Sequence, residues 1–155
     1  MTYYGVMNTR RYKLAIWQVD FSVIDKNKRY DDEDICYWEK EPNNAFDIAF
    51  LDKCESWSED IIQYGDLQKT CIELLVENER IVEVNVRLDL RTLTKDLLMN
   101  VIDYIIRLNA NVYFQNKIVI PSVKNVCNII INSNAYKYCK NPLSYIDDLN
   151  EYDGS

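Results

Sequence analysis

The sequence predicts an α+β domain, a mostly antiparallel sheet with two long helices packed on one face. Segments with the two-residue alternation of strands lie mainly in the first two thirds of the chain. Segments with helical spacing follow them, and this order favours an antiparallel sheet with separate helices. The length of 155 residues fits a single domain, which we expect to cover residues 1–155.

The N-terminal part of the chain is predicted to contain strands, a long loop and a helical turn. Residues 11–24 alternate like a strand, and a parity change at Ile16-Trp17 indicates a bulge or burial on both faces. Residues 25–45 form a long acidic loop, and connections of this length are often functional or flexible. A short strand is expected over residues 46–50, and one helical turn or more within residues 56–65.

The clearest pattern is an antiparallel hairpin over residues 70–91. The first strand alternates from Ile72 to Val76, and residues 77–80 form the turn. In the second strand one face is apolar: Val82, Val84, Val86, Leu88 and Leu90. The other face is polar and is predicted to be wet: Glu83, Asn85, Arg87, Asp89 and Arg91.

A helix follows this hairpin. Thr92 or Thr94 is predicted to cap it, and its apolar stripe continues to about Leu108. Residues 112–120 then form either one strand or a small hairpin.

A last long helix is predicted to begin at Pro121-Ser122 and to stop at Asn141-Pro142. A short docked helix is expected over residues 143–149, and residues 150–155 form a flexible acidic tail.

Composition argues against several classes of protein. Eighteen basic and 25 acidic residues give a net charge of −7, which argues against a general nucleic-acid binder. The chain has no histidine, which excludes Ser-His-Asp and Cys-His catalysis and any histidine-ligated metal. The three glycines lie far apart, so no phosphate loop or dinucleotide fingerprint is present. We therefore expect no catalytic residue, no metal and no cofactor.

Cysteine usage and the absence of apolar runs predict a cytoplasmic protein. The five cysteines are odd in number, and no two have the spacing of a zinc ribbon, so they are expected to be reduced thiols. The first eleven residues contain no apolar run of signal-peptide length. No segment approaches the 18 or so apolar residues of a membrane-spanning helix, so no membrane partner is expected.

The first candidate site is the acidic part of the long loop. Consecutive carboxylates beside aromatic rings are typical of a surface that recognises a basic protein. A solvated loop is the alternative, and the calcium-loop pattern is not matched. The predicted partner contacts are Asp31, Asp32, Glu33, Asp34, Tyr37 and Trp38.

The secondary candidate is the polar face of the long strand. Arg87, Asp89 and Arg91 are two residues apart and could form a charge ladder that binds a carboxylate or phosphate. The two arginines are balanced by Glu83 and Asp89, so a solvated, self-neutralising face is the alternative interpretation.

Several residues and short motifs form a pattern that runs from before the hairpin to the end of the last helix: Trp57, Gly65, Ile72-Glu73-Leu74, residues 82–91, Ser133-Asn134-Ala135 and Asn141-Pro142. This pattern covers residues 55–149 and resembles small single-domain bacterial proteins. Some of these are uncharacterised, and some are immunity proteins that neutralise partner toxins. The resemblance implies a cytoplasmic binding role and transfers no catalytic residue.

The predicted function is a non-enzymatic binding protein of the immunity or inhibitor type, which covers a basic site on a partner protein. Complementary charge would raise the rate of association and make it specific. Two alternatives stay open: a structural subunit or homodimer joined through the wet sheet face or a strand edge, and a histidine-free enzyme that uses carboxylates.

Overall fold

A computed structural model describes residues 14–141 and Leu143. In that part of the chain, a seven-stranded antiparallel sheet and three short helices confirm the α+β class. The strands are β1 (Gln18–Asp25), β2 (Lys53–Cys54), β3 (Ile61–Gly65), β4 (Cys71–Glu77), β5 (Arg80–Asp89), β6 (Ala110–Phe114) and β7 (Lys117–Val119). The helices are α1 (Lys95–Arg107), α2 (Val123–Ile131) and α3 (Asn134–Lys140). The predicted tail over residues 150–155 lies outside the described residues, as does the helix predicted after Leu143.

The strand order in the sheet is β2-β3-β4-β5-β1-β6-β7, so β1 lies between the long hairpin and the later strands. The β4–β5 hairpin and the β6–β7 hairpin both have two-residue turns. Asn78-Glu79 and Gln115-Asn116 have positive φ angles, which is the type I′ geometry that matches the twist of the strands. Residues 112–120 therefore form a hairpin and not one strand.

The predicted unbroken alternation of β5 is wrong at its N-terminal end. The pairing passes from Leu75–Glu83 to Val76–Ile81 and skips Val82, which is a β-bulge. Val82 therefore packs with Ile61 and Leu75 in a small separate cluster, away from the helix side of the sheet.

The prediction of the first helix is confirmed, but the prediction of one last long helix is wrong. The Thr94 hydroxyl caps α1 by accepting a hydrogen bond from the Leu97 N–H at 3.1 Å. The predicted second helix is broken into α2 and α3 at Ser133. The Ser133 hydroxyl donates to the Ile130 carbonyl at 2.6 Å and accepts from the Tyr136 N–H at 3.1 Å, so one side chain ends α2 and begins α3.

Two local predictions before the hairpin are also wrong. Residues 56–65 contain the strand β3 and no helix, because Ile61 to Gly65 pair along β4. Residues 46–50 contain no strand, only the end of a turn at Phe46 and a bend at Phe50, and a two-residue strand, β2, occurs later instead. A spacing of three to four apolar residues in a short segment does not separate a helix from a buried strand.

The main core lies between the sheet and the helices. Val23, Val84 and Leu74 come from adjacent strands, and Val101 and Val126 reach them from α1 and α2. Together with their neighbours they form one apolar cluster that spans the domain. Among the described residues, no helix combines the length and the apolar character needed to cross a membrane.

The opposite face of the sheet is covered, which corrects the prediction of a wet face. Arg87 is 3 % exposed and Asp89 is 0 % exposed. Trp57, the Leu67 carbonyl and the Cys36-Tyr37 part of the long loop lie over this face and exclude water from most of it.

Candidate functional site

A continuous row of polar side chains crosses the covered face. Gln63, Glu73, Asn85 and Ser22 pair in register on four adjacent strands. The Ser22 hydroxyl donates to Asn85 Oδ1 at 2.9 Å. Buried polar groups need such partners, because an unpaired one loses its hydration without compensation.

Arg87 is occupied within this face and is not presented to solvent. Its Nε lies 3.8 Å from Glu73 Oε1, and both side chains are almost fully buried. The Trp57 indole N–H donates to the other carboxylate oxygen of Glu73 at 3.2 Å. The prediction of an exposed, anion-binding ladder is therefore wrong for Arg87. Other segments cover this face of the sheet, and Arg87 forms a buried ion pair with Glu73.

Asp89 and Arg91 form a separate pair at the end of the strand. Two hydrogen bonds of 3.0 and 3.1 Å join the Arg91 guanidinium to the two carboxylate oxygens. Burial alone would raise the pKa of Asp89, but hydrogen bonds from Arg91 and Thr92 outweigh it and lower the pKa below its ordinary value. The Arg91 guanidinium also lies 3.9 Å from the centre of the Trp17 ring. Both charges are satisfied locally.

The long loop forms a concave surface that we call the acidic concavity. Its volume is about 560 Å³. Its lining residues are Asp25, Asn27, Lys28, Asp32, Glu33, Asp34, Tyr37 and Glu39. Five of these carry carboxylates and one is a lysine, whose Nζ lies 3.2 Å from Glu39. The concavity therefore has a large excess of negative charge.

Four of the six predicted contact residues are exposed. Asp31, Asp32, Glu33 and Asp34 lie on the surface, and the last three line the concavity. Tyr37 is half-buried and also lines it.

Trp38 differs from the prediction of a contact residue, because it is 3 % exposed and belongs to the main core. Its indole N–H donates to the Val23 carbonyl at 2.9 Å, and its backbone N–H donates to the Val82 carbonyl at 2.7 Å. The side chain therefore anchors the end of the acidic loop to the sheet. It cannot touch a partner while this packing holds.

Arg80 gives the loop a second attachment. Its guanidinium donates to the Trp38 and Glu39 carbonyls at 2.8 Å and to the Tyr37 hydroxyl at 2.7 Å. At the other end, the Tyr30 hydroxyl accepts a hydrogen bond from the Ile118 N–H at 3.0 Å. The carboxylates are thus displayed on a loop that is tied to the sheet at several points.

Glu83 is a buried carboxyl that sequence analysis placed in water. It is 5 % exposed, and no hydrogen bond or ion pair joins its carboxyl to another residue of the described part. Burial, followed by the negative charges of Glu77 and Asp34, raises its pKa to about 7. Asp34 lines the acidic concavity, so its negative potential reaches the sheet below.

A second concave feature lies where β1 separates from the β6–β7 hairpin, and we call it the β1 cleft. Its volume is about 410 Å³, and its polar lining includes Asp20, Ser22, Cys36, Tyr113, Gln115 and Asn134. Burial raises the pKa of Asp20, while the positive charge of Arg87 and the backbone N–H of Asp20 itself oppose this shift. Sequence analysis did not identify this cleft, because its walls come from four distant segments.

Comparison with protein families, curated proteins and solved structures finds no significant match to this chain. Within residues 14–141, no group of three or more cysteine or acidic side chains is placed to hold a metal ion.

Proposed function

We propose that this chain is a non-enzymatic binding protein of the immunity or inhibitor type, whose acidic concavity covers a basic site on a partner protein. One observation carries the proposal: five carboxylates and a single lysine line a concave surface on a loop that is tied to the sheet. Such an arrangement is a negative field with a defined shape, and a basic protein surface is its natural complement.

Attachment of the loop matters for affinity as well as for shape. A loop that is ordered before binding does not pay the entropy of ordering when the partner arrives. Trp38 and Arg80 supply this order from below, so that Asp32, Glu33 and Asp34 can be contacts. In this proposal Trp38 is a positioning residue.

The raised pKa of Glu83 supports the same proposal. Burial is the largest cause of this shift, and the two smaller causes are the negative charges of Glu77 and Asp34. Carboxylates that repel each other in the free protein gain when a cation approaches, since the repulsion is then screened. Binding energy would thus come partly from charge repulsion in the free protein.

The test compares the wild-type chain with two variants of equal net charge. The site variant is Asp32→Asn, Glu33→Gln, Asp34→Asn. The control variant is Asp52→Asn, Glu55→Gln, Glu59→Gln, which are exposed acids outside the concavity. All three proteins are immobilised and exposed to lysate of the source cell. Proteins that are retained are eluted at high salt and identified by mass spectrometry.

We expect one basic protein that the wild type and the control variant retain and the site variant does not. Its association rate should fall steeply with ionic strength, because the Debye length shrinks from about 10 Å at 0.1 M to about 3 Å at 1 M. If it is a toxin, its activity should be lost on binding. Equal retention by both variants would remove the concavity as the binding surface.

The structure limits the surfaces that the two alternative functions could use. A homodimer or structural subunit can no longer use a wet sheet face, because that face is covered. In the described part of the chain, the outer strands are β2, of two residues, and β7, of three, and such short edges discourage strand pairing. Residues 18–21 of β1, which pair only with β5, are a further open stretch that a homodimer could use. A carboxylate enzyme would bring two carboxyls into one pocket. Among the described residues, the β1 cleft holds one carboxylate, that of Asp20. The acidic concavity holds five, so a carboxylate enzyme would have its acid and base there.

A further inference from the structure

We infer that the β1 cleft binds a guanidinium group, such as an arginine side chain of the basic partner. The cleft supplies a carboxylate, several oxygen acceptors and aromatic rings to one concave space, and nothing in it is positively charged among the described residues. The inference deepens the proposed function and rests on it for the source of the arginine.

The cleft exists because the pairing of β1 with β6 stops halfway. β6 pairs with β1 only from Ser22 to Asp25, while β5 pairs with it from Gln18 onward. Residues 18–21 therefore have a neighbouring strand on one side only. The β6–β7 hairpin turns at Gln115-Asn116, across the gap.

The hydrogen-bonding phase of β1 directs the backbone N–H and carbonyl of Asp20 towards this gap. The Leu90 N–H donates to the Trp17 carbonyl at 3.0 Å, so residues 17, 19 and 21 direct their backbone groups towards β5. Asp20 then directs its N–H and carbonyl the other way. The Asp20 carboxylate lines the same cleft, and the backbone N–H of Asp20 lowers the pKa of this carboxyl. The Asp20 carbonyl and carboxylate oxygens therefore share the open side of the strand.

The charge balance behind the cleft favours a cation. Among the described residues that line the cleft, Asp20 is the only charged one. In the register of β1 and β5 it lies opposite Arg87. Arg87 lies 3.8 Å from Glu73, so one buried guanidinium serves two carboxylates. Asp20 is half-buried, and a partly desolvated site with one excess negative charge is stabilised by a cation that enters it.

The remaining lining favours guanidinium over ammonium. Gln115 and Asn134 carry side-chain carbonyl oxygens, and Asn116 Oδ1 already accepts from the Tyr113 hydroxyl at 3.3 Å. A planar guanidinium presents five N–H donors and stacks on aromatic rings such as Tyr113, whereas an ammonium is a compact, strongly hydrated charge. A volume of about 410 Å³ is within the range of small-ligand sites.

The cleft and the acidic concavity are bordered by the same loop. Cys36 lines the cleft, and Asp34 and Tyr37 line the concavity. A partner that lies over the concavity can therefore place one side chain into the cleft beside it.

The test is a titration of the full ¹⁵N-labelled chain with three probes, followed by amide NMR shifts at neutral pH and low salt. The probes are Nα-acetyl-arginine amide, Nα-acetyl-lysine amide and Nα-acetyl-citrulline amide, which is the uncharged analogue of the first. We expect the arginine probe to shift the amides of Ser22, Tyr113 and Asn116 with a dissociation constant on the order of 1 mM. Lysine should bind more weakly, and citrulline should not bind.

Two variants locate the binding. Asp20→Asn keeps the shape of the side chain and should weaken arginine binding about tenfold. Gln115→Asn shortens one acceptor, and asparagine tolerates the φ of 47° at this position, so it should weaken binding and leave the fold intact. Equal binding of citrulline, or equal arginine binding by Asp20→Asn, would overturn the inference.

The triple variant of the acidic concavity separates this inference from the proposed function. It should lose the protein partner and still bind the arginine probe in the cleft. If the arginine probe shifts only the concavity, the cleft inference fails while the proposed function stands. If the cleft binds arginine and both charge variants retain the same lysate proteins, the cleft inference stands and the proposed function fails.

Discussion

Replacing Glu83 with glutamine should stabilise the protein at neutral pH and remove a pH dependence of its stability. The Glu83 residue is 5 % exposed, and no hydrogen bond is among the causes of its shifted pKa. Its pKa is raised from an ordinary 4.5 to about 7, chiefly by burial. The folded state therefore holds a proton that the unfolded state releases between these two pH values.

The sign follows from this proton. Below about pH 4.5 the carboxyl is neutral in both states and adds nothing unfavourable. As the pH rises towards 7, the folded state binds more protons than the unfolded state, so the free energy of unfolding falls. A shift from 4.5 to about 7 corresponds to about 3 kcal/mol, and water that still reaches the carboxyl reduces this to about 2 kcal/mol.

The assay is urea denaturation at pH 4.5, 6, 7 and 8, followed by tryptophan fluorescence. At pH 8 Glu83→Gln should be more stable than the wild type by about 2 kcal/mol, a midpoint shift of about 1 M urea. At pH 4.5 the two should coincide. Glu59→Gln, a change at an exposed acid, should follow the wild type throughout. A Glu83→Gln variant that is less stable at pH 8 would refute the absence of a partner for this carboxylate.

Three further variants test features of the fold by the same denaturation assay. Ser133→Ala should lower the free energy of unfolding by about 1–2 kcal/mol, because one hydroxyl serves both α2 and α3; no change would mean that the cap is not formed. Gly65→Ala should cost at least about 2 kcal/mol, since φ is +85° and a Cβ would lie 2.3 Å from the Thr70 carbonyl oxygen, and a neutral result would contradict this backbone. Arg87→Met should cost about 3–5 kcal/mol by leaving the buried Glu73 carboxylate without its cation, and an unchanged free energy of unfolding would contradict this ion pair.

Local features of the fold were predictable from the sequence. The β4–β5 hairpin and the Thr94 cap depend on residues that are near each other along the chain, so periodicity and capping chemistry identify them. The division of the last helix was missed because the apolar stripe continues past Ser133 and hides the cap within it. The helix predicted over residues 56–65 failed because short apolar spacing fits both kinds of element.

The acidic loop was also predictable as a surface, since four adjacent carboxylates are rarely buried. The attachment of the loop to the sheet was not predictable. A tryptophan such as Trp38 can be a partner contact or a core residue, and only its hydrogen bond to the Val23 carbonyl shows that it is a core residue. The β1 cleft had no counterpart in the sequence, because it forms where the pairing of β1 with β6 stops.

The sequence by itself determined the α+β class, the hairpin, the first helix and the negative charge of the loop. The tertiary structure alone decided that Arg87, Asp89 and Glu83 are covered and that Val82 leaves the alternation. The physical reason is that an alternating pattern states which residues share a face of a strand and does not state what lies over that face. Trp57, Leu67 and the loop reach it from distant parts of the chain, and their cover converts a row of surface charges into buried, mutually dependent groups.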